Sequence, residues 1–192
     1  MIVPDIISYT TTIGAWADCS SRDPSAGRQA KEILMSMISR SKDSGGDESL
    51  APKPTTRCFN AALLTLANSN QRGNGKRALD LLRFMDTLRS EGFPDLSPDT
   101  HSFNIVMLAL ANCKERGASQ KANNLLQRML DSHKNGDTKL KPDLLSYNTV
   151  LTAYQKEGEA EAAERLLEQM AKQGDDGAKP NAHSYTAVSV VE

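Results

Sequence analysis

Residues 141–181 read KPDLLSYNTVLTAYQKEGEAEAAERLLEQMAKQGDDGAKPN, and this stretch decides the fold of the whole chain. Each half carries four apolar residues at offsets of 0, 3, 4 and 7, the spacing that places side chains on one face of an α-helix. These residues are Tyr147, Val150, Leu151 and Tyr154 in the first half, and Ala163, Leu166, Leu167 and Met170 in the second. Glu157-Gly158 stands between the halves and is a turn signal. The stretch therefore predicts two helices joined by a tight turn.

The same pair of patterns recurs along the chain. The first is a proline, a polar residue, three further residues, an aromatic residue and then Asn or Thr; its copies begin at Pro4, Pro54, Pro98, Pro142 and Pro180. The second is a stripe of Ala, Ile or Leu, Leu and Met; its copies begin at Ala30, Ala78, Ala122 and Ala163. One hairpin has too small an apolar face to fold alone, whereas stacked hairpins share a core. We predict a single array over residues 1–192, with repeats at 6–55, 56–99, 100–143 and 144–181 and a partial repeat at 182–192.

Polar and turn-forming residues predict where the helices begin. The residue after each proline is a favoured N-cap, at Asp5, Thr55, Asp99, Asp143 and Asn181. Turn-formers separate the two helices of the first three units, at Asp23-Pro24-Ser25, Arg72-Gly73-Asn74-Gly75 and Arg116-Gly117. The longest connector, Ser41 to Lys53, is rich in Gly, Ser and Asp, and we expect it to be a mobile loop.

The last residues, HSYTAVSVVE, stop in the middle of the first pattern. No second helix follows to cover Val188, Val190 and Val191, so we expect an exposed apolar end. We therefore expect the chain to be part of a longer array.

Composition narrows the class of protein. The 192 residues are 39% hydrophobic and 5% aromatic, which suits a helical stack, and no apolar run approaches the ~18 residues of a membrane helix, so no membrane partner is expected. The three cysteines, Cys19, Cys58 and Cys113, are odd in number, which excludes a complete disulfide framework and favours a reducing compartment. A net charge of −1 and a pI of about 6.3 count against tight nucleic-acid binding.

Catalytic and metal-binding patterns are missing from the sequence. His101 and His183 occupy the same register two repeats apart, too far to share one ion between packed helices. Residues 73–77 form a turn, since they lack the strand and the further glycine of a phosphate loop. Asp175-Asp176 lies in a Gly-flanked connector and is expected to be solvated. We predict no enzyme activity, no metal, no cofactor and no small-molecule substrate.

The fourth unit resembles the consensus of the pentatricopeptide repeat (PPR) family. The resemblance extends over the chain, is strongest in residues 142–181 and is weakest in residues 6–55. The Trp-x-x-Leu-Gly-x-x-Tyr pattern of tetratricopeptide repeats is absent. The resemblance implies an all-α fold, an α-solenoid in which helix–turn–helix repeats form a right-handed superhelix with the first helices on the concave face. It also implies single-stranded RNA as the partner, with one base read per repeat.

The resemblance further implies which residues read the bases. In the family, the residue after the first-helix aromatic and the residue after the repeat-closing proline act as a pair. The pairs here are Thr10 with Thr55, Asn60 with Asp99, Asn104 with Asp143, and Asn148 with Asn181, while Thr186 has no partner in the chain. The implied readout, from 5′ to 3′, is an unassigned base, two uracils from the Asn/Asp pairs, and cytosine. From the residues alone, Asn is a poor helix former, so its return at one register in three repeats needs a reason beyond propensity.

A second set of residues is expected to stack on the bases. In the family, these stand at the second position of each first helix. Here they are Ile7, Arg57, His101, Leu145 and His183. The family usually has a small aliphatic residue at this position, from which Arg57 and His101 depart, although guanidinium and imidazole planes also stack on bases.

These implications predict sequence-specific RNA binding in organellar RNA processing, stability or translation. A protein-interaction scaffold of the tetratricopeptide type is the first alternative, favoured by the near-neutral charge. The second is the tRNA-binding repeat region of a protein-only ribonuclease P, whose metallonuclease domain is not in this sequence. Family members are mostly in the mitochondrion or chloroplast, but the first residues carry no targeting peptide to support either.

Overall fold

The computed structural model of the protein describes residues 4–45, 47, 50–173 and 178–189. Within these ranges it contains nine α-helices and one 3₁₀ turn, with no strand. The helices are α1 (Ile6–Cys19), α2 (Ala26–Asp43), α3 (Thr56–Asn68), α4 (Asn74–Ser90), α5 (Thr100–Asn112), α6 (Ala118–Lys134), α7 (Leu144–Glu157), α8 (Ala160–Gln173) and α9 (Ala182–Ser189). The 3₁₀ turn is Thr138–Leu140. The predicted all-α class is confirmed. None of the described helices combines the length and the apolar character needed to cross a membrane.

The helices pack in sequential order. Each first helix (α1, α3, α5, α7) contacts its own second helix and the first helix of the next unit, and each second helix also contacts the next first helix. The partial unit follows the same rule, because α9 packs against α7 and α8. Such stacking, in which a unit contacts mainly its neighbours, defines a solenoid. The predicted α-solenoid of tandem helix pairs is therefore confirmed.

The two layers of the stack differ in spacing. Consecutive first helices are in extensive direct contact, whereas no two consecutive second helices in the described ranges contact each other to a comparable degree. A double layer curves toward its more closely spaced side. The first helices therefore line the inner surface of the array and the second helices its outer surface.

The apolar stripes form one continuous core. In the second helices, Ala30, Ala78, Ala122 and Ala163 are buried, and so are the four methionines of the stripe, Met37, Met85, Met129 and Met170. The first-helix aromatics Tyr9, Phe59, Phe103 and Tyr147 are buried between the layers. Each large side chain buried in this way stabilises the array by roughly 1.5–3 kcal/mol.

The last described helix departs from this rule. Tyr185 stands at the register of the buried aromatics but is 58% exposed, because no described second helix follows α9 to cover it. Val188 is half-buried against the core. Val190 and Val191, which were also expected to form an apolar end, lie outside the described residues.

The first helices begin directly after the predicted N-cap residues. Asp5, Asp99, Asp143 and Asn181 each accept a hydrogen bond from the backbone N–H three residues ahead, at 2.7–3.1 Å. Thr55 is also the N-cap residue, of α3, but its side chain makes no capping hydrogen bond. Its hydroxyl lies 3.5 Å from the sulfur of Cys58 instead.

Two predicted loop segments are partly helical. Helix α4 begins at Asn74, so the predicted turn at residues 72–75 ends earlier, with Gly73 in the left-handed region at a φ of 84°. Helix α2 continues to Asp43 with Ser41 buried, so the expected mobile connector from Ser41 begins as helix. Residues 46, 48 and 49 of that connector lie outside the described residues.

Each of two second helices receives its N-terminal cap from the next unit. Glu115, just after α5, accepts a hydrogen bond from the Gly73 N–H at 2.6 Å. Glu157, the last residue of α7, accepts from the N–H groups of Gly117 and Ser119 at 2.9 and 2.8 Å. Burial raises the pKa of Glu157, but these N–H bonds outweigh it and hold the pKa below its ordinary value. The carboxylates replace the capping side chain that glycine lacks, a contribution of about 1 kcal/mol each, and they join neighbouring units.

Replacing Gly75 by Ala is expected to destabilise the array by about 1–2 kcal/mol. A Cβ there would lie 2.8 Å from Leu110 Cδ2 and 3.0 Å from Cys113 Sγ, both buried where α4 meets α5. Urea unfolding followed by circular dichroism measures the change.

The matched control for this substitution is Gly14→Ala in α1. A Cβ at Gly14 meets no heavy atom within 4 Å. Alanine loses less backbone entropy in a helix, so this variant is expected to gain about 0.5–1 kcal/mol. Equal stabilities for the two variants would contradict the close packing of Gly75.

Candidate nucleic-acid interface

A buried polar cluster joins consecutive first helices. The Ser102 hydroxyl lies 2.6 Å from Asn60 Oδ1 and 2.8 Å from Asp99 Oδ1. The Asn60 amide Nδ2 donates to the same Asp99 oxygen at 3.4 Å. We call these three residues, the asparagine of one unit with the N-cap and third helical residue of the next, a junction triad. The triad connects positions about forty residues apart in sequence into one hydrogen-bonded group.

The junction triad repeats at the next two junctions. Its members there are Asn104, Asp143 and Ser146, and then Asn148, Asn181 and Ser184. The hydroxyl-to-Asn Oδ1 distances are 2.7 and 2.6 Å, and the distances from Asn Nδ2 to the N-cap oxygen are 3.1 and 3.5 Å. The same contacts thus recur at three consecutive junctions although one N-cap is an amide and the other two are carboxylates.

The chemistry of the triad fixes the roles of the groups. In the first two triads the N-cap is a carboxylate, which accepts only, so the amide N–H₂ of the Asn faces the N-cap oxygen and its Oδ1 faces the serine hydroxyl. Asn148 in the third triad makes the same two contacts. An Asn side chain offers two N–H donors and two oxygen lone pairs, and the triad uses one of each. The three Asn residues are only 8%, 4% and 8% exposed. Each is therefore a rigid amide with unused hydrogen-bonding capacity beyond its triad.

The structure keeps Asp99 ionised. Burial is the largest influence and raises the pKa of this carboxyl. The N–H and hydroxyl of Ser102, the Asn60 amide and the charge of His101 act in the opposite direction and outweigh burial, so the pKa of Asp99 lies below its ordinary value of 3.8. At neutral pH this residue is thus a pure acceptor that holds the Asn60 amide.

The first junction has a different chemistry. The Thr10 hydroxyl donates to the backbone carbonyl of Ile6 at 2.7 Å and lies 3.3 Å from Cys58 Sγ. Thr55 approaches the same sulfur. The structure thus brings the predicted pair Thr10 and Thr55 around Cys58, which stands where the other junctions have serine. Thr186 in α9 is exposed and donates to the carbonyl of Ala182.

The expected stacking residues form an exposed row on the first helices. Ile7, Arg57, His101, Leu145 and His183 are all exposed. The exposure of the two aliphatic members is high for their type, at 70% for Ile7 and 56% for Leu145. Each member precedes the candidate reading residue of its helix by three positions, so the two share a helix face. The row therefore borders the positions of the junction triads.

The spacing of the row suits a planar ring. Packed helices lie about 8–10 Å apart. An aromatic ring with carbon contacts of about 3.5 Å on both sides needs about 7 Å between the flanking atoms. This general spacing of packed helices is of the size that a stacked base needs between two flanking side chains.

A basic groove lies at the other end of the first helices. The open groove has a volume of about 640 Å³ and is lined in part by Lys114, Arg116 and Lys156. The carboxylates in its lining, Glu115 and Glu157, are bonded to backbone N–H groups of the neighbouring helices. Burial, followed by the charge of Lys114, lowers the pKa of Lys156. The crowded cations favour an anionic neighbour such as a phosphate.

Sequence reasoning missed the serines of the junction triads. Ser102, Ser146 and Ser184 appeared within the repeated pattern but received no role. The signal was present, since Asp or Asn followed three residues later by Ser occurs at each of these units. It is the reciprocal arrangement of a capping box, and both halves of that box are formed at Asp99 and Asp143.

The described residues contain no group of three or more His, Cys, Asp or Glu side chains arranged to hold a metal ion. Asp175-Asp176, expected to be solvated, lies outside the described residues. Cys19, Cys58 and Cys113 are free thiols.

Fold and interface together define a helical-repeat protein with a repeated polar junction on its inner layer. Residues 142–189, which contain the fourth unit and helix α9, match the model of the PPR repeat family. The helical repeats of the chain fit a PPR-type protein, and the similarity to this family suggests an RNA-binding helical-repeat protein. No curated protein matches the chain.

Replacing Asp99 by Asn tests the charge at this junction. Because the pKa of Asp99 is lower in the folded state, its charge contributes stability above about pH 3.8 that is lost as the pH falls through the folded pKa. We expect the variant to lose about 0.5 kcal/mol at pH 7, and the difference from the unmodified protein to vanish at lower pH. Urea unfolding between pH 7 and pH 3 measures it.

The control is Asp95→Asn, which removes an exposed carboxylate from the same connector. Its effect on the free energy of unfolding is expected to be small between pH 7 and pH 3. A difference for Asp99→Asn that grows as the pH falls would contradict the depressed pKa.

Proposed function

We propose that this protein binds single-stranded RNA in a sequence-specific manner, with one base read at each junction between units. The observation that carries the proposal is the junction triad, repeated at three consecutive junctions beside an exposed row of stacking side chains. A stability role alone requires a satisfied buried amide, whereas these amides also keep a spare donor and a spare acceptor. Such groups recur once per unit, as a reading of one base per unit requires.

The chemistry of the amide favours pyrimidines. Uracil presents an acceptor oxygen at position 4 and an N–H at position 3, which complement the spare N–H and the spare lone pair of an Asn side chain. This chemistry assigns uracil to the junctions Asn60/Asp99 and Asn104/Asp143. The assignment of cytosine to Asn148/Asn181 rests on the resemblance to the PPR family alone. Thr10/Thr55 has no amide and receives no assignment.

Stacking supplies the affinity in this proposal. Base stacking contributes ~1–3 kcal/mol per base, so four bases give roughly 4–12 kcal/mol. Association costs roughly 4–15 kcal/mol. With a net charge of −1, electrostatic attraction comes from local groups such as Arg57 and the basic groove rather than from the whole surface. We therefore expect weak binding with a modest salt dependence.

A role in organellar RNA processing, stability or translation is the wider form of this proposal. It rests on the resemblance to the PPR family, and so does the assignment to the mitochondrion or chloroplast. The near-neutral charge also suits a protein-interaction scaffold, which the binding experiment below separates from the RNA proposal.

Fluorescence anisotropy of a labelled RNA containing UUC, at low salt, tests the proposal. The comparison RNA carries AAG in place of UUC. We expect tighter binding to UUC in the unmodified protein, and loss of that preference in the double variant Asn60→Ala/Asn104→Ala, because these amides supply the contacts to the two uracils.

The control variant is Asn74→Ala. Asn74 is also buried and hydrogen-bonded, to the carbonyl of Leu66 and the hydroxyl of Ser69, but it lies on a second helix. This variant is expected to keep the preference for UUC even if it loses stability. Equal binding of both RNAs by the unmodified protein would reject base reading and favour the scaffold function.

A further inference from the structure

We propose that Ser102, Ser146 and Ser184 are positioning residues for base recognition, which fix the edge of the asparagine amide that faces the RNA. This inference rests on the proposed function, because it concerns how the same junctions distinguish one base from another.

The serine contact is the shortest hydrogen bond made by each amide. The hydroxyl-to-Asn Oδ1 distances are 2.6, 2.7 and 2.6 Å, whereas the amide nitrogens lie 3.4, 3.1 and 3.5 Å from the N-cap oxygens. All three hydroxyl groups belong to fully buried residues. The serine is therefore the closest anchor of each amide and is shielded from competing water.

The hydroxyl hydrogen is directed by a second bond. The backbone N–H of each N-cap residue donates to the serine oxygen, at 3.2 Å for Asp99, 3.1 Å for Asp143 and 3.1 Å for Asn181. This bond occupies the acceptor side of the hydroxyl, so its hydrogen points to the oxygens of the triad. The serine thus acts as a donor toward the asparagine.

A flipped amide is disfavoured by the same groups. Turning Asn104 by 180° would place its oxygen against Asp143 Oδ1, so that two acceptors would face each other, and would leave the Ser146 hydroxyl without its amide acceptor. At the third junction the N-cap oxygen belongs to Asn181 and accepts a hydrogen bond from the N–H of Ser184. A flipped Asn148 amide would therefore also bring two acceptor oxygens together there. The orientation is therefore kept without a charged N-cap, and serine is the residue that all three junctions share.

At the two junctions with an aspartate N-cap, Asn60/Asp99 and Asn104/Asp143, a fixed amide distinguishes uracil from cytosine. The two bases differ at position 4, where uracil has an acceptor oxygen and cytosine a donor amine. An amide held in one orientation presents one kind of group to that position, whereas an amide free to flip satisfies both bases. Loss of the serine hydroxyl should therefore reduce the ratio of affinities for the two bases more than the affinity itself.

The first test is Ser146→Ala, with RNAs that carry U or C opposite Asn104/Asp143. We expect the preference for U over C at that base to fall roughly fivefold or more, with the preference at the Asn60/Asp99 base unchanged. Ser146→Thr keeps a hydroxyl and is expected to restore the preference. Ser20→Ala is the matched control, since Ser20 is also buried and its hydroxyl bonds to the carbonyl of Ala17, far from the triads in the chain.

A readout without RNA accompanies this test. In the NMR spectrum, the side-chain amide protons of Asn104 are expected to exchange faster with solvent in Ser146→Ala than in the unmodified protein or in Ser20→Ala. Unchanged exchange would overturn the positioning role.

The first junction allows the reverse experiment. Thr10 and Thr55 hold the positions of the missing Asn and Asp, and Cys58 that of the serine. Thr10→Asn/Thr55→Asp installs the pair with cysteine in place, and adding Cys58→Ser completes a triad. The base opposite the first junction lies on the 5′ side of the base at Asn60/Asp99. We expect the triple variant to prefer U over C at this base, and we expect the ratio of affinities for U and C to be roughly fivefold smaller in the double variant.

The outcomes separate the two proposals. The serine role would be overturned if the preference for U survived Ser146→Ala and if the double and triple variants had equal ratios of affinity for U and C. RNA reading would remain in place. No preference in the unmodified protein would reject base reading and the positioning role together. A preference that falls with Ser146→Ala and appears with Cys58→Ser supports both.

Discussion

The hydrogen bonds between consecutive first helices constrain the rest of this structure. At the three junctions with a triad, the asparagine amide lies 2.6–2.7 Å from the serine hydroxyl and 3.1–3.5 Å from the N-cap oxygen of the next unit, which fixes the register of these neighbouring first helices. Among the described residues, consecutive second helices have no comparable direct contact. Because the inner layer is held more closely than the outer one, the array curves and presents its first helices on the inside.

The N-cap residue caps its own helix and also contacts the preceding unit, and one residue type must suit both tasks. Asp99 and Asp143 complete the first turn of a helix and also hold the asparagine of the preceding unit. Only residues with a short side-chain acceptor cap well. If this position reads bases as proposed, the need for a stable helix start restricts it to the few residue types that cap well. Asn181 satisfies both demands without a charge, which is why it replaces aspartate without a change in geometry.

Much of the fold follows from the sequence because its signals are local and repeated. The stripe from Ala163 to Met170 and its three copies predict the second helices, and the proline with its polar neighbour predicts where the first helices begin. Contacts between units are harder to predict, since they join residues about forty positions apart across connectors of different lengths. The caps supplied by Glu115 and Glu157 are of this kind, and so is the role of serine in the triad. Family resemblance paired Asn60 with Asp99, which the structure brings together. The capping-box spacing indicates that Ser102 bonds to Asp99, but no local rule indicates that it also bonds to Asn60 of the preceding unit.

The first junction shows what the triad adds to packing. It is as well packed as the others, with Cys58 and Phe59 buried and α1 in extensive contact with α3, yet it has threonines and a cysteine in place of the triad. Packing of the first helices therefore does not require an amide, an acidic N-cap or a serine. Buried asparagines are costly in desolvation and poor in helix propensity. Their recurrence at three junctions, when a less polar solution exists in the same chain, is the physical argument for the proposal that these groups serve recognition as well as stability.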